Sequence, residues 1–321
     1  MQFLKPQGFW AGVALALFLS GGLFVYWTGA NPQDQQKFVK ITEQALIASA
    51  PIPDQMSFAG EALPPLNFDL RERMDRELSI TRNMHASTSL SLKRGARYKD
   101  EILAILRQEG VPDDFFYLML AESGADVVTS PAAAQGFWQF IPSTARMYGL
   151  EISDAVDERN DLTKSTRAAC RYLKASYKKF GSWTLAAAAY NCGDGAVNWV
   201  INQQGTRNFW ELYLNLETSR YLFRILSFKL IEQNPELYGF KFYPGDLYTP
   251  IPHKLVTVDS AVTNLVGFAR QQGISYRMLK VMNPWLLKAY LPRPVGKVWT
   301  LRIPTEEALR APAAPQQGGQ G

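Results

Sequence analysis

The stretch from Pro112 to Gly124 reads PDDFFYLMLAESG and combines a helix start, an apolar run and a helix stop. A proline followed by two aspartates is typical of a helix start, and a glycine just past the apolar run is typical of a helix end. The stretch therefore predicts a helix from Phe115 to Ala121. Four residues share one face of it, at spacings of three, four and seven from the first: Phe115, Leu118, Met119 and Glu122.

Glu122 stands at the end of this apolar face, and its position affects its pKa. Burial beside aromatic and aliphatic groups raises the pKa of a carboxyl group, and the partial negative charge of a helix C-terminus raises it further. A carboxylic acid that is still protonated near neutral pH is a candidate general acid. Periodicity alone leaves two alternatives open, a surface glutamate at a helix end and a glutamate in a structural hydrogen bond.

Helical periodicity continues on both sides of this stretch, and strand signals are almost absent. Further helices are predicted at 69–84, 96–109, 142–148, 163–180, 183–191, 194–203, 208–215 and 218–234. Residues 66–240 are therefore expected to form one α-helical domain, and the fold class is mainly α.

The pattern changes after the breakers at 243–245 and 250–252. Strand-like Lys254–Val258 is followed by helices predicted at 260–272 and 275–283 and by strand-like Val298–Ile303. This order predicts a small β-α-α-β module over residues 250–304. Residues 305–321 are rich in proline, glutamine, alanine and glycine, and they predict a disordered tail.

The first 30 residues predict a membrane anchor. Residues 9–27 are mostly apolar, and at 1.5 Å per residue they span about 28 Å, close to the thickness of a bilayer core. A cleaved signal peptide is the alternative, because Thr28-Gly29-Ala30 suits a cleavage site, although signal cores are about 7–15 residues long. With this anchor and a cytoplasmic N-terminus, the rest of the chain is expected to lie outside the cytoplasm. Residues 31–65, with scattered prolines, are expected to be a linker that contains one short helix at 34–49.

The composition of the 321 residues excludes several classes of protein. With 47% hydrophobic and 20% charged residues, the chain is expected to fold around a core. Two cysteines exclude a disulfide-rich scaffold, and the two histidines, His85 and His253, are far apart, so neither a metal nor another cofactor is predicted. Phosphate-binding glycine motifs are absent from the sequence. A net charge of +5 does not demand an anionic polymer, and no nucleic acid partner is expected.

Four ordered segments carry a family resemblance. Glu122-Ser123 is followed by SPAAAQGFWQFIPSTAR at 130–146, AYNCGDG at 189–195 and ETSRY at 217–221. They resemble the ES, SxxGxxGxxQxxPxTA, AYNAG and ETxxY signatures of lytic transglycosylases of the goose-lysozyme-like superfamily. Residues 69–121 resemble the membrane-bound lytic murein transglycosylases of the D type. The resemblance covers residues 66–240 and implies a lysozyme-like fold.

The family cleaves the β-1,4 bond between N-acetylmuramic acid and N-acetylglucosamine in peptidoglycan and leaves a 1,6-anhydro ring. The resemblance implies that Glu122 protonates the glycosidic oxygen and then, as the base, accepts the proton of the muramic C6 hydroxyl. Asp126 is interpreted as structural or exposed. Seven residues are expected to bind substrate or to position Glu122: Ser123, Phe137, Trp138, Gln139, Tyr190, Asn191 and Tyr221. For Phe137 and Trp138, packing in the core is the alternative to stacking on sugars.

The chain departs from the family pattern at two positions. Ala133 replaces the middle glycine of SxxGxxG, which raises the question of whether that turn needs a positive φ. Cys192 replaces the alanine of AYNAG. Neither position carries an acid, an amide or a hydroxyl, so the chemistry is expected to persist.

Residues 254–304 resemble a LysM module, a kind that binds N-acetylglucosamine-containing glycans. The usual GDTL at the first strand-to-helix turn is replaced by DSAV at 259–262. Two interpretations stay open, a glycan-binding module and a structural appendage packed on the catalytic domain.

Two rival functions accompany the transglycosylase hypothesis. A muramidase-type hydrolase shares the fold and the acid but adds water. A non-catalytic peptidoglycan-binding protein has a decayed site, and the intact motif residues argue against it.

The cysteines predict a disulfide between Cys170 and Cys192. Each lies 11 residues from the turn at Gly181, so an antiparallel helical hairpin places them at the same height. An oxidising compartment preserves such a bond. Two small buried thiols are the alternative, since equal height does not make the side chains face each other.

Overall fold

The computed structural model describes residues 49–310. After a hairpin of β1 (Ser57–Phe58) and β2 (Glu61–Ala62), eight α-helices follow. They are α1 (Phe68–Asn83), α2 (His85–Gln108), α3 (Phe115–Ser123), α4 (Pro142–Met147), α5 (Leu162–Phe180), α6 (Trp183–Cys192), α7 (Asp194–Gln204) and α8 (Leu216–Gln233). Single 3-10 turns lie at Glu158–Asn160, Phe209–Glu211 and Pro235–Tyr238.

The C-terminal part contains β3 (His253–Val258), α9 (Leu265–Gln271), α10 (Tyr276–Met282), β4 (Trp299–Pro304) and α11 (Glu306–Leu309). The predicted mainly α class is confirmed, and so is the β-α-α-β order of this part. Strands β3 and β4 pair antiparallel, with Val258 opposite Trp299 and His253 opposite Pro304.

Helix α3 is the central helix of the larger part. Its residues 115–120 are all buried, so the helix is apolar on every side rather than along one face. Helices α2 and α8 pack against it. Helix α3 ends at Gly124, whose φ of +61° lets its N–H bond back to the carbonyl of Leu120. Residues 115–120 of α3 lie in the core, and Glu122, in the last turn of the helix, lies at the edge of the core, where it is only partly buried.

Small side chains let α2 approach α3 closely. A Cβ on Gly95 would lie 2.9 Å from Cδ2 of Leu120, and Thr88 and Ser91 of the same helix are also buried. Helix α2 starts at His85, 11 residues before the predicted start, and this close packing stabilises its first half. Serine, threonine and glycine are weak helix formers, so sequence periodicity hides a segment that tertiary packing stabilises.

The segment expected to be a linker is part of the core from residue 50 onward. Phe58 is fully buried and its ring packs edge-on against Phe115 at a centroid distance of 5.1 Å. The Glu61 carboxylate accepts hydrogen bonds from the backbone N–H groups of Trp183 and Thr184, at the start of α6. The linker interpretation is therefore wrong for residues 50–65.

Two predicted helices are also corrected. Residues 208–215 form one 3-10 turn and then an extended segment in which Leu212 and Leu214 are buried. The helix predicted at 260–272 begins only at Leu265, because the Asn264 side chain caps it by accepting from the N–H groups of Val266 and Gly267.

The C-terminal module has its own buried cluster, which includes Trp285, Trp299 and Leu301. Ala155 and Val156, from the loop before α5, belong to the same cluster. Val156 and Leu286 form a β-bridge, and the Asp157 N–H donates to the carbonyl of Trp285. The module is therefore packed on the helical domain through shared core residues.

No helix between residues 49 and 310 is both long and apolar enough to cross a bilayer. The anchor predicted at residues 9–27 lies outside the described residues, as does the helix predicted at 34–49 except for its last residue. Most of the tail predicted at 305–321 also lies outside them, while Glu306–Leu309 form the short helix α11.

Candidate active site

Glu122 lies in the last turn of α3, and its carboxyl group is held by α8. Oε1 of Glu122 accepts a short hydrogen bond from the hydroxyl of Tyr221, which is the contact expected of that tyrosine. Burial raises the pKa of Glu122 to about 7, even though the Tyr221 hydrogen bond and the charge of Arg224 lower it. The carboxyl group can therefore hold a proton near neutral pH and can also release it.

Two cavities meet at Glu122. One, of about 610 Å³, is lined on the far side by Gln139, Tyr190 and Asn191. The other, of about 510 Å³, lies on the side of Ser123 and Asp126. Both volumes are in the usual range for ligand sites. Glu122 lines both cavities, which we together call the groove.

A tight loop between α3 and α4 contains both Ala133 and Gln139. Both have positive φ, +50° for Gln139 and +59° for Ala133. The turn at the position of the family glycine therefore does need a positive φ, and alanine adopts it here. The side chain of Gln139 donates to the carbonyls of Val128 and Gly136, which fixes it at the groove wall.

Tyr190 and Asn191 end helix α6 beside the groove. The Tyr190 hydroxyl donates to the carbonyl of Trp138 at 2.7 Å. Oδ1 of Asn191 accepts from the hydroxyl of Thr218 at 2.8 Å, and its amide nitrogen has no acceptor among residues 49–310. The amide N–H groups of Asn191 are thus free to donate into the cavity.

Phe137 and Trp138 do not face the groove, so the expectation that they stack on sugars is wrong. Trp138 is fully buried, and its indole N–H donates to Thr166 at 2.9 Å. Phe137 is only 4% exposed and packs edge-on against Tyr98. Both are core residues that support the loop. Ser123 lines the second cavity, where its hydroxyl reaches the Met119 carbonyl at 3.3 Å.

Sequence reasoning missed a charged cluster contributed by α1 and α8. Glu77 is 1% exposed, its Oε1 accepts from Nε of Arg220, and its Oε2 lies 3.6 Å from Nε of Arg224. Arg224 also pairs with Glu217 at 3.1 Å. Glu217 lies in the quoted ETSRY segment, and Arg220 and Arg224 follow three and seven residues later on the same face of α8, which was an available signal.

The remaining acids at the groove are all paired with arginine. Asp126 lies 3.1 Å from Arg94, Glu77 pairs with Arg220, and Glu217 pairs with Arg224. Glu122 differs from these three acids, because its carboxyl group is hydrogen-bonded to the neutral hydroxyl of Tyr221 and not to an arginine.

Between residues 49 and 310, no cluster of three or more histidine, cysteine or acidic side chains could hold a metal ion. The two cysteines are free, and the predicted disulfide is wrong. Cys170 lies in α5, where burial and the nearby charge of Glu109 raise the pKa of its thiol. The Cys192 thiol lies near Thr218 and contacts the Ala188 carbonyl at 3.3 Å. The two residues face different neighbours, so rotation about the helix axes prevents the bond.

Comparison with known proteins agrees with this geometry. Residues 101–213 match the family model of the transglycosylase SLT domain, and residues 254–307 match that of the soluble lytic transglycosylase C-terminal LysM-like domain. The chain is similar to the membrane-bound lytic murein transglycosylase D of Escherichia coli K12, with 32% identity over 263 residues. The protein of the same name from E. coli O6:H1 gives the same identity.

That alignment covers 78% of this chain and 57% of each relative, so the chain spans just over half the length of the curated relatives it matches. Helix α8, with Tyr221 and Arg224, lies beyond the matched SLT range but completes the site around Glu122. The chain therefore carries a transglycosylase SLT domain, followed by a LysM-like domain of the soluble lytic transglycosylase type.

Proposed function

We propose that the chain is a peptidoglycan lytic transglycosylase. It cleaves the β-1,4 bond between N-acetylmuramic acid and N-acetylglucosamine and leaves a 1,6-anhydromuramic end. The observation that carries the proposal is the Glu122 carboxyl group, with its pKa raised to about 7, at the junction of two cavities.

In this mechanism Glu122 acts first as acid. Its proton passes to the glycosidic oxygen as the bond from C1 to that oxygen breaks, and the substrate's own N-acetyl carbonyl stabilises C1. The ionised Glu122 then takes the proton of the muramic C6 hydroxyl as O6 bonds to C1. The carboxyl group is protonated again at the end, and water is neither consumed nor released.

Other groups bind the substrate or hold the acid in place. The free amide N–H groups of Asn191 and the fixed side chain of Gln139 offer hydrogen bonds to sugar hydroxyl and acetamido groups. Ser123 offers its hydroxyl in the other cavity. Tyr221 donates to the carboxylate, which stabilises the ionised form needed in the second step.

A hydrolase is the second candidate, because one observation favours it. Glu217 lines the same cavity as Gln139 and Asn191, and its side chain is 57% exposed. An inverting hydrolase needs a second carboxylate to activate water. Glu217 pairs with Arg224 at 3.1 Å, and it takes no part in the proposed mechanism.

Digestion of purified peptidoglycan sacculi separates these outcomes. Wild type is expected to release products that are one water lighter than those of a hydrolase, by mass spectrometry, and Glu122→Gln is expected to release at least 100-fold less. Glu217→Gln is the matched control, since it is an equally small change at the same cavity. Products that carry the added water, together with inactive Glu217→Gln, would instead establish the hydrolase.

We further propose that the enzyme acts in the periplasm, anchored in the inner membrane through residues 9–27. The support is the apolar run of the sequence and the location of the substrate outside the cytoplasm. Cell fractionation tests this: we expect the chain in the membrane fraction, and release into the soluble fraction after deletion of residues 1–30. A soluble, shortened chain in wild-type cells would support signal cleavage instead.

A further inference from the structure

A third cavity, of about 320 Å³, lies where the LysM-like module meets the helical domain, and we call it the junction cavity. One wall comes from α2, from the loop after α3 and from the start of α5. The other comes from β3, α10 and β4 of the module. Asp126 lines both this cavity and the Ser123 side of the groove. The junction cavity therefore adjoins the catalytic groove at its side.

Several polar groups in the junction cavity have no protein partner among residues 49–310. Asn160 is 3% exposed, and its Oδ1 accepts from Gln135, but its amide nitrogen has no acceptor. The hydroxyl of Tyr98 is also unpaired in this part of the chain. Among the described residues, the buried side-chain atom without a hydrogen-bond partner is Oε2 of Glu77, so the amide nitrogen of Asn160 is accessible from the cavity. It can therefore donate to a ligand or to water there.

Arg97 adds a cation with spare donors. Its Nε donates to the carbonyl of Thr249 at 3.2 Å, and its guanidinium group lies 4.9 Å from the ring centre of Tyr248. The two terminal nitrogens have no acceptor in the described range. Arg302, the other arginine of the cavity, is used up by Glu101 and Thr163. Arg97 is thus the cation available to bind an anionic group.

The apolar walls favour a peptide over a sugar. Sugars stack on accessible aromatic faces, but Phe137 and Trp285 are only 4% and 2% exposed. The ring of Tyr98, which is partly exposed, packs edge-on against Phe137. The accessible apolar wall is instead made by the aliphatic side chains of Val281, Met282 and Pro284. A neutral sugar also offers no group that would use the charge of Arg97.

The lining also contains three carboxylates: Glu101 pairs with Arg302, Asp126 pairs with Arg94, and Asp161 caps α5. A peptide offers a carboxylate to Arg97, a carbonyl to the Asn160 amide and aliphatic side chains to the aliphatic wall, so it matches the groups that remain.

We propose that the junction cavity binds the peptide stem that the muramic acid residue carries, with Arg97 pairing with a stem carboxylate and Asn160 donating to a peptide carbonyl. This inference rests on the proposed function for its substrate. The glycan passes Glu122 along the groove, and the stem leaves it sideways past Asp126. The LysM-like module then contributes to substrate selection through its contact face with the catalytic domain.

The test compares glycan strands that carry stems with strands from which an amidase has removed them. Arg97→Gln and Tyr98→Phe are each expected to raise KM for stem-bearing strands, by roughly tenfold for the arginine, and to leave kcat unchanged. Neither is expected to change cleavage of stripped strands. Arg107→Gln is the matched control, because it removes an exposed arginine of the same helix, outside all three cavities.

A second measurement separates this proposal from the proposed function. Isothermal titration of the wild-type chain with isolated stem peptide is expected to show binding that Arg97→Gln weakens and Arg107→Gln does not. If wild type cleaves neither strand, the proposed function fails, while the titration still tests the cavity. Absence of peptide binding, or an equal loss on stem-bearing and stripped strands, would overturn the peptide assignment.

Discussion

The proton of Glu122 is subject to two opposing influences. Loss of solvent raises its pKa, and the hydroxyl of Tyr221 lowers it by bonding to the ionised form. Sequence periodicity predicted the direction of this shift from Phe115, Leu118 and Met119. It did not predict the depth of burial, because the helix is enclosed on every side and not only on the face it was expected to present.

Activity on peptidoglycan is expected to fall as the pH rises through about 7. The proposed mechanism needs Glu122 protonated for the first step, and its pKa of about 7 makes the acid form dominant below that pH. The measurement is kcat/KM from pH 5 to 9, with circular dichroism at each pH to confirm folding. An alkaline limb near 4.5 would mean that the carboxyl group is solvated.

Tyr221→Phe is expected to move that limb to higher pH. The substitution removes a donor that stabilises the carboxylate, so the proton is held more tightly and the pKa of Glu122 rises further. The rate below the limb is expected to fall as well, because the second step needs the ionised form. Tyr172→Phe, at a neighbouring, partly buried tyrosine whose hydroxyl donates to the Ala189 carbonyl, is the control whose limb is expected to stay in place.

The same pKa predicts a difference in stability. Because the native state keeps the Glu122 proton up to about pH 7 while the unfolded chain loses it near 4.5, wild-type stability falls between these two pH values. Glu122→Gln removes that loss. Its advantage in free energy of unfolding is expected to be near zero at pH 4 and on the order of 1–3 kcal/mol at pH 8. Urea unfolding at both pH values checks it, and an advantage that does not change with pH would contradict the assignment.

At the scale of elements, the loop between α3 and α4 is held by one close approach. A Cβ on Gly136 would lie 2.0 Å from the carbonyl oxygen of Arg159, and φ is +81°. Gly136→Ala is therefore expected to cost about 3 kcal/mol or more of unfolding free energy and to displace Gln139. Chemical denaturation and activity on sacculi measure the two effects.

Gly181→Ala is the control that separates the effect of the steric contact at Gly136 from the effect of its backbone conformation. Its φ of +72° is similar, but a Cβ there would meet nothing within 4 Å. Only the left-handed conformation costs energy, about 1 kcal/mol. Equal losses for the two substitutions would show that φ alone explains Gly136. Ala133 in the same loop, with φ of +59°, already indicates that alanine is accepted where space allows.

The elements that the sequence predicted well are those with a strong local signal. Helix α5 was predicted to within one residue, because it has a regular apolar face and ends at a glycine. The first half of α2 and the segment 50–65 were missed because their stability comes from distant partners, such as Leu120 for Gly95. Phe137 and Trp138 were misplaced for the same reason: a motif gives their spacing, but the packing of the loop on Thr166 decides where the rings point.

At the scale of the whole molecule, the LysM-like module is joined to the catalytic domain by charge as well as by core residues. Arg302 of β4 makes two hydrogen bonds to Glu101 of α2 and one to Thr163 of α5. Lys297 pairs with Glu151 and Glu158 at 2.8 Å each. These links support the packing that was expected of a structural appendage, although they leave glycan binding by the module as a prediction.

The chain from residue 50 onward is therefore expected to unfold as one cooperative unit, and Arg302→Met is expected to destabilise all of it. The loss is about 1–3 kcal/mol, less than for a fully buried pair because the side chains of Arg302 and Glu101 are 21% and 34% exposed. Arg270→Met, at an exposed position of α9, is the control expected to have little effect.

The pH dependence of this loss has a definite sign. Burial raises the pKa of Glu101, but the hydrogen bond and charge of Arg302 outweigh it and leave the pKa below its usual value. The pair therefore contributes stability above the ordinary glutamate pKa, and that stability disappears as the pH falls through the lowered value. The difference between wild type and Arg302→Met should be full at pH 7 and should shrink as the pH is lowered below the ordinary glutamate range. Calorimetry at pH 7 tests the single cooperative unit. Two separate transitions, with only the smaller one moved by Arg302→Met, would show instead that the module is an independent domain. Its contacts with α2 and α5 would then add nothing to the stability of the helical domain.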